Sequence, residues 1–174
     1  MAALITYNDI KATVEISANL TAAKTNRAIR DAQNIDIKDA IGDGMLLDLL
    51  TALDTLPLTG DFANLYNGCT YTYYTNSYSH VGLKEVACLY AYARLIEQGD
   101  IVVNQFGTMV KESQYSSHAE DKEKARLINA TRNTTFRYLM EVKNYIIRNI
   151  TLFPKYEYYF ISNKKGSSIH LIGN

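Results

Sequence analysis

The stretch Leu83-Lys-Glu-Val-Ala-Cys-Leu-Tyr-Ala-Tyr-Ala-Arg-Leu-Ile-Glu-Gln98 decides the fold, because it is a helix-forming segment with almost no polar face. After Lys84 and Glu85 its next charged residue is Arg94. A helix that is apolar on all sides must be covered by other elements, so we expect the central helix of an α-helical bundle. It is too short and too charged to span a bilayer, which needs about 20 apolar residues. Gly99 stands where a left-handed C-cap ends a helix.

Several further helices are predicted around it. Six leucines between Met45 and Leu56, followed by Pro57, indicate a helix that the proline ends. The other predicted helices are Tyr7 to Val14 after a Thr6/Asp9 capping box, Thr21 to Asn34 with a continuation or second turn over Ile35 to Ile41, a short turn at Asp61 to Tyr66, and a long helix from the Ser117–Glu120 capping box to about Asn149.

The long helix has an apolar face opposite a charged one. We expect its core face to consist of Ile128, Phe136, Leu139, Val142, Ile146 and Ile150. About 30 residues at 1.5 Å each make a helix about 45 Å long. We therefore expect one end to project from the bundle.

In three parts of the chain the sequence pattern is typical of β-strands and not of helices. Within Cys69 to His80, Thr and Tyr alternate from Thr70 to Tyr73, and Asn76-Ser77 supplies turn residues for a hairpin. The runs Ile101–Val103 and Met109–Val110 predict a second hairpin or a crossing arm. Tyr156–Ile161 and Ser168–Ile172 predict a C-terminal hairpin or arm.

The expected fold class is mainly α: a helical bundle with a central buried helix, a long C-terminal helix and one or two small peripheral β-hairpins. A helical domain would comprise residues 1–152, with a hairpin insertion at about 69–80 and an extended loop at about 100–116. Residues 153–174 would form a C-terminal aromatic arm or hairpin.

Composition excludes several classes of function. The 174 residues are most simply one domain, and their formal net charge of zero does not indicate a general nucleic-acid binder held by phosphate contacts. Cys69 and Cys88 do not form a disulfide framework, so we expect a reducing compartment. The N-terminal residues do not resemble a signal peptide.

The sequence supplies no positive sign of catalysis. His80, His118 and His170 stand in separate elements without zinc-ligand spacing, and phosphate-loop, dinucleotide and hydrolase motifs do not occur. Cys88, in an apolar helix, is read as an inert core thiol. We predict no catalytic residue, no metal site and no cofactor.

Tyrosine is the unusual residue, with fourteen copies and no Trp. Tyr is enriched at protein interfaces, and the 69–80 segment contains no Asp, Glu, Lys or Arg. Packing of the hairpin on its own bundle remains an equal alternative to contact with another subunit. The residues predicted to form an interface are Tyr71, Tyr73, Tyr74, Tyr78, Tyr156, Tyr158, Tyr159 and Phe160.

The order of these segments resembles a family of viral proteins. The resemblance rests on Leu4-Ile-Thr-Tyr-Asn-Asp-Ile10, Arg30-Asp-Ala-Gln33, Ile37-Lys-Asp-Ala-Ile-Gly42, Gly82-Leu-Lys-Glu85, Tyr90-Ala-Tyr-Ala-Arg94, Asn104-Gln-Phe-Gly107 and the long final helix. Over about Leu4 to Ile150 the chain resembles the head–tail connector (adaptor ring) proteins of tailed bacteriophages, in particular those of crAss-like and other Bacteroidales phages. Residues 153–174 match no pattern of that family.

This resemblance implies a structural virion protein without an active site, located in the neck of the virion and assembled in the host cytoplasm. Its partners would be copies of itself in a dodecameric ring, the portal protein, the next tail or neck ring protein, and DNA that passes through the channel without sequence-specific binding. No membrane would be involved.

Two other readings remain open. The first is a soluble monomeric helical adaptor or regulator without catalysis, in which the hairpin and arm pack on their own domain. The second is a small enzyme that holds a divalent cation on Asp36, Asp39 and Asp43, whose spacing places them on one helical face. A solvated face is the simpler explanation of these three aspartates.

Overall fold

The computed structural model describes residues 3–16, 21–55, 57–98, 101–104, 107–110 and 121–156, with the backbone alone for 101–104, 107–110 and 121. The fold is mainly α, as predicted, with small antiparallel hairpins. In chain order the elements are α1 (Tyr7–Thr13), α2 (Ala22–Asp31), a π-helix (Ala32–Ile37), α3 (Lys38–Ile41), α4 (Asp43–Asp54), α5 (Gly60–Asn67), β1 (Cys69–Tyr73), β2 (Asn76–His80), α6 (Leu83–Gln98), β3 (Ile101–Asn104), β4 (Gly107–Val110), α7 (Asp121–Arg148) and a 3-10 turn (Ile150–Leu152).

Helix α6 is the centre of the bundle. Helices α1, α2, α5 and α7 and the π-helix all pack against it, and Glu97 is its one exposed residue. The nearly continuous apolar pattern of this segment therefore reflects contact on every side. None of the helices in the described ranges has an apolar run long enough to cross a membrane.

The helix that begins after Thr21 runs without a break to Ile41. Its middle, Ala32–Ile37, is a π-helix, in which the i→i+5 pattern adds one residue to a turn. The extra residue keeps Ala32, Ile37 and Ile41 buried while Ile35 remains 47% exposed. Gly42 ends the run at φ 87°, a backbone conformation that glycine adopts without strain.

Helix α7 has 28 residues, which corresponds to about 42 Å. No side chain between 122 and 134 is buried, and Thr135 is the first buried residue of α7. The core face is formed by Leu139, Val142, Tyr145 and Ile146.

The prediction that Phe136 belongs to the core face is wrong. This side chain is 58% exposed. At 100° per residue Phe136 lies about 120° around the helix from Val142, and α6 covers a narrower arc than the sequence pattern suggested.

The first hairpin has its turn two residues earlier than predicted. Tyr73 pairs with Asn76, so the loop is Tyr74-Thr75 and not Asn76-Ser77. The base of the hairpin sets this register. A Cβ on Gly68 would lie 2.6 Å from the His80 carbonyl oxygen, and one on Gly82 would lie 2.4 Å from the Gly68 nitrogen. The two glycines let the chain ends meet where Cys69 pairs with His80.

The second hairpin is present, with β3 and β4 antiparallel and Ile101 paired with Val110. Three predictions lie outside the described residues: the end of α6 at Gly99, the Ser117–Glu120 capping box, and the C-terminal hairpin after Tyr156. The predicted capping box of α1 is confirmed, since the Thr6 side chain accepts from the Asp9 amide and Asp9 accepts from the Thr6 amide.

The packed unit extends beyond the predicted boundary at residue 152. Phe153 is 2% exposed and Tyr156 is 4% exposed, and both belong to the hydrophobic core. The Phe153 ring packs edge-on against Phe62 of α5 and Tyr145 of α7.

Candidate interaction surfaces

The inner face of the first hairpin lies on the C-terminal end of α7. The Tyr71 ring packs edge-on against Tyr145, with centroids 4.9 Å apart, and stacks with Tyr78 at 5.8 Å. Arg148 donates a hydrogen bond of 3.0 Å to the Tyr71 hydroxyl. Its guanidinium carbon lies 3.7 Å from the centroid of Tyr78 and 5.3 Å from that of Tyr73. Tyr71, Tyr73 and Tyr78 therefore all contact Arg148 of their own chain.

Tyr74 differs from the other three tyrosines. It is 86% exposed at the tip of the hairpin, and its φ of 54° makes it the one non-glycine residue with positive φ in the described ranges. A two-residue loop with positive φ at its first central position is the type II′ pattern, which favours glycine there. The hairpin thus carries a large aromatic side chain in a strained position exposed to solvent.

The remaining predicted interface residues are in the C-terminal segment. Tyr156 does not offer a surface, because it is buried in the core of its own chain, and this corrects its assignment as an interface residue. An aromatic arm or hairpin was predicted to begin at 153, but Phe153 and Tyr156 are part of the core of the bundle. Tyr158, Tyr159 and Phe160 lie outside the described residues.

A cysteine and a histidine meet at the base of the hairpin, and no sequence motif indicates this pair. Cys69 Sγ lies 3.5 Å from His80 Nε2. Burial raises the pKa of Cys69, although a hydrogen bond with Tyr145 opposes it. Burial also lowers the pKa of His80. Both shifts favour neutral groups, so this pair lacks the thiolate that a nucleophilic cysteine needs.

The other thiol is still less reactive. Cys88 is fully buried in α6, and burial raises its pKa to about 11. Both cysteines are free thiols. The interpretation of Cys88 as a core residue agrees with this placement.

The three aspartates proposed as a cation site have different neighbours. Asp36 forms a two-pronged ion pair with Arg94, at 2.7 Å and 3.1 Å, and Asp43 pairs with Lys38 at 2.7 Å. Within the described part of the chain, no group of three or more His, Cys, Asp or Glu side chains is arranged to hold a metal ion. Asp36 lies in the π-helix and Asp43 lies after the helix break at Gly42, so the spacing of a regular α-helix does not apply to all three aspartates.

A row of exposed apolar side chains runs along the outer side of α7. Phe136, Met140 and Ile147 are 58%, 42% and 45% exposed. At 100° per residue they fall within about 40° of one another, and we call them the outer row. Their spacing of four and seven residues can be read from the sequence, but the same pattern led to the assignment of Phe136 to the core face of the helix.

Two shallow depressions lie on the side of the bundle formed by α2, the π-helix and α4. One, of about 450 Å³, is lined by Ile5, Tyr7, Ile29 and Gln33 among others. The N-terminal segment that lines it is held by Gln33, which accepts a 2.7 Å hydrogen bond from the Leu4 amide. The second, of about 310 Å³, is formed mainly by α4 and includes Gly44, Leu46, Leu47 and Leu50; we call it the α4 groove.

These features define a class of protein: a small helical bundle whose distinctive surface groups are exposed apolar and aromatic side chains. The chain belongs to the DUF6712 family, a family of unknown function, whose model matches residues 37–161. No curated protein and no solved structure matches the chain.

Proposed function

We propose that this protein is a structural ring subunit: a head–tail connector (adaptor) that joins the portal vertex of a tailed phage to its tail and surrounds the DNA channel. The proposal combines the sequence resemblance given above with one structural observation, the outer row of α7. It includes no catalysis, no cofactor and no membrane contact.

The outer row supports assembly because its three side chains are apolar and exposed on one side of α7. Phe136 and Ile147 are eleven residues apart, about 16 Å along the helix, with Met140 between them. Large exposed apolar patches on soluble proteins commonly mark interaction sites. Lys143 lies in the row between Met140 and Ile147, and burial lowers its pKa, so this charged residue is itself partly withdrawn from water.

A ring also needs a second surface. Head-to-tail rings join two different surfaces of each subunit, and the outer row and the tip of the hairpin at Tyr74 are two different exposed surfaces of this chain. The core of an interface is typically rich in aromatic residues and Met and poor in charge. Phe136, Met140 and Tyr74 agree with that composition.

The neutral charge of the chain supports a role beside moving DNA. A strongly basic wall would bind phosphates through released counterions and slow the passage of DNA. The formal net charge of zero avoids this effect. The proposed partners are the portal protein and the next tail or neck ring protein.

Light scattering and electron microscopy of the purified chain, with and without the cognate portal, test the proposal. We expect closed rings, alone or on the portal. The double variant Phe136→Ser/Met140→Ser should lose them. Leu127→Ser is the matched control, because Leu127 is 46% exposed on the same helix but about 180° away from Phe136. A wild-type chain that stays monomeric with the portal present contradicts the proposal.

A monomeric helical adaptor is the second candidate, and one observation favours it. The inner face of the hairpin is already packed on α7 through Tyr71 and Arg148, as a self-contained domain requires. The same light-scattering experiment separates the two candidates, since the adaptor predicts one subunit mass under all conditions.

A further inference from the structure

The chain is neutral in total, but its charges are separated between two helical regions. Residues 38–67, which include α3, α4 and α5, contain five aspartates and one basic residue, Lys38, so their net charge is −4. Helix α7 contains seven Lys and Arg residues and three Asp and Glu residues, so its net charge is +4. The same chain therefore has an acidic region and a basic region of equal charge.

The basic residues of α7 are concentrated on the side that carries the outer row. At 100° per residue, Glu123 and Glu141 lie about 120° around the helix from the centre of the row. The basic residues within about 80° of that centre are Lys122, Arg126, Arg132, Arg137 and Lys143. Two acids reduce this charge, namely Asp121 at the start of α7 and Glu97, which pairs with Arg132. The outer row is therefore an apolar strip with basic surroundings.

Helix α4 has an exposed apolar residue with acidic surroundings. Leu47 is 53% exposed at the α4 groove, whose lining includes the buried Leu46 and Leu50. Asp43 and Asp54 are exposed and lie within about 40° of Leu47 around the helix. One side of α4 thus carries a leucine between two carboxylates, and we call this side, with the groove, the α4 face.

Two lysines of the same chain reduce the acidic charge at this face without removing it. Lys38 lines the groove and pairs with Asp43 at 2.7 Å, and Lys155 pairs with Asp48. With both lysines counted against the five aspartates of residues 38–67, a net charge of −3 remains. The α4 face therefore stays acidic after its own ion pairs have formed.

The outer row and the α4 face match in length and in chemistry. Phe136 and Ile147 are eleven residues apart, as are Asp43 and Asp54, and each distance is about 16 Å along its helix. Contact between the two surfaces would remove exposed apolar area from water on both sides. The opposite charges around that area favour association and fix its orientation. Because both charges belong to this chain, the partner that fits the outer row is a second copy.

We infer that the outer row of one copy binds the α4 face of the next copy. The inference rests on the proposed ring function, since a contact between two different surfaces is head-to-tail and can close a ring. In this arrangement the α4 face, and not the tip of the hairpin, receives the outer row. The hairpin tip at Tyr74 is then left for the portal or the next ring.

Disulfide trapping between full-length chains tests the contact. A chain with Leu47→Cys is mixed with a chain with Met140→Cys under assembly conditions, with the portal present, and oxidised mildly, and the bonds are mapped by mass spectrometry. Leu127→Cys replaces Met140→Cys in the matched control, because the two side chains are 46% and 42% exposed but lie about 140° apart on α7. We expect a several-fold higher yield of the bond between positions 47 and 140 than of the control bond.

The possible results separate this inference from the proposed function. Closed rings with equal yields of the two bonds would overturn the contact between α4 and α7 and leave the ring in place. A chain that stays monomeric with the portal present would contradict both.

Charge reversal gives a second readout with an internal rescue. Asp54→Lys on α4 and Arg137→Glu on α7 change exposed residues, so the fold is retained. We expect each change alone to weaken association several-fold in light scattering, and both changes in one chain to restore most of it. Glu141→Lys, on α7 but away from the outer row, is the control and should leave association unchanged. Absence of rescue in the double variant would contradict the inference.

Discussion

The guanidinium carbon of Arg148 lies 3.7 Å from the centroid of the Tyr78 ring and so joins the end of α7 to the first hairpin. The same group donates to the Tyr71 hydroxyl. Cation–π attraction and the packing of the arginine stem are both lost in Arg148→Ala, and we expect a decrease in unfolding free energy of about 1–2 kcal/mol. Urea unfolding measures it. Arg137→Ala, at an exposed position of α7, is the control, and equal effects of the two changes would contradict the role of Arg148.

The glycines at the hairpin base provide a prediction with an internal control. Gly68→Ala places a methyl group 2.6 Å from the His80 carbonyl oxygen at φ 85°, whereas Gly60→Ala at φ 66° meets no atom within 4 Å. Gly60→Ala, the control, should lower the free energy of unfolding by about 1–2 kcal/mol through backbone strain alone. Gly68→Ala should lower it clearly more. Thermal unfolding of both variants measures the difference. Similar melting temperatures would mean that the close approach at Gly68 is not needed.

The variant Tyr74→Gly should affect assembly without affecting the stability of the isolated chain. Relief of the positive φ is offset by loss of the ring contact with Tyr73, whose centroid is 4.6 Å away, so the stability of the isolated chain should stay within about 1 kcal/mol. If Tyr74 contacts a neighbour, ring formation or portal binding falls while the melting temperature does not. Wild-type assembly of this variant would exclude Tyr74 from the interface.

Because His80 is buried, we expect the protein to lose stability as the pH is lowered. Its Nδ1 atom is buried without a hydrogen-bond partner among the described residues, and burial lowers its pKa in the folded chain. Between that lowered value and the unfolded value of about 6.5, the unfolded chain binds more protons, so stability falls as pH decreases below about 6.5. His80→Phe should remove this part of the dependence. Urea midpoints between pH 8 and pH 5 test it, and parallel curves for both proteins would refute it.

The ion pair of Arg94 and Asp36 should contribute more to the stability of the fold than the ion pairs at the surface do. Both side chains are about 15% exposed, and hydrogen bonding to Asp36 raises the pKa of Arg94. Asp36→Ala leaves a partly buried guanidinium without its partner, and we expect a loss of about 2–3 kcal/mol. Arg27→Ala is the control, because Arg27 is 67% exposed and such pairs contribute about 0.5 kcal/mol. Denaturant unfolding of both variants compares them directly, and equal losses would contradict the expectation.

The sequence predicted the elements whose signal is local and strong. Helix α6 is apolar on all sides, α1 has a complete capping box at Thr6, and α4 lies in a leucine-rich run that Pro57 follows. In each case the interactions that favour the helix are between residues close in sequence. The sequence pattern was therefore sufficient to predict the three helices and the central position of α6.

The missed features depend on contacts between distant segments. The hairpin turn is set by Gly68 and Gly82 at its base and not by the turn propensity of Asn76-Ser77. The exposure of Phe136 depends on how wide an arc of α7 the neighbouring helix covers, and the burial of Tyr156 on the 3-10 turn that redirects the chain. The Cys69–His80 contact follows from the strand register, which a shift of one residue would have abolished.

The π-helix at Ala32–Ile37 has a consequence for changes in chain length. Because its wider turn contains one residue more than an α-helical turn, deletion of the exposed Ile35 would convert it to a regular α-helix and leave Ile29 and Ile41 on the core side. A deletion in the middle of a buried helix ordinarily rotates everything after it by 100°. This helix therefore contains a position at which a codon can be lost without displacing the core, and the shortened and full-length forms would differ in the phase of Asp36 and in little else.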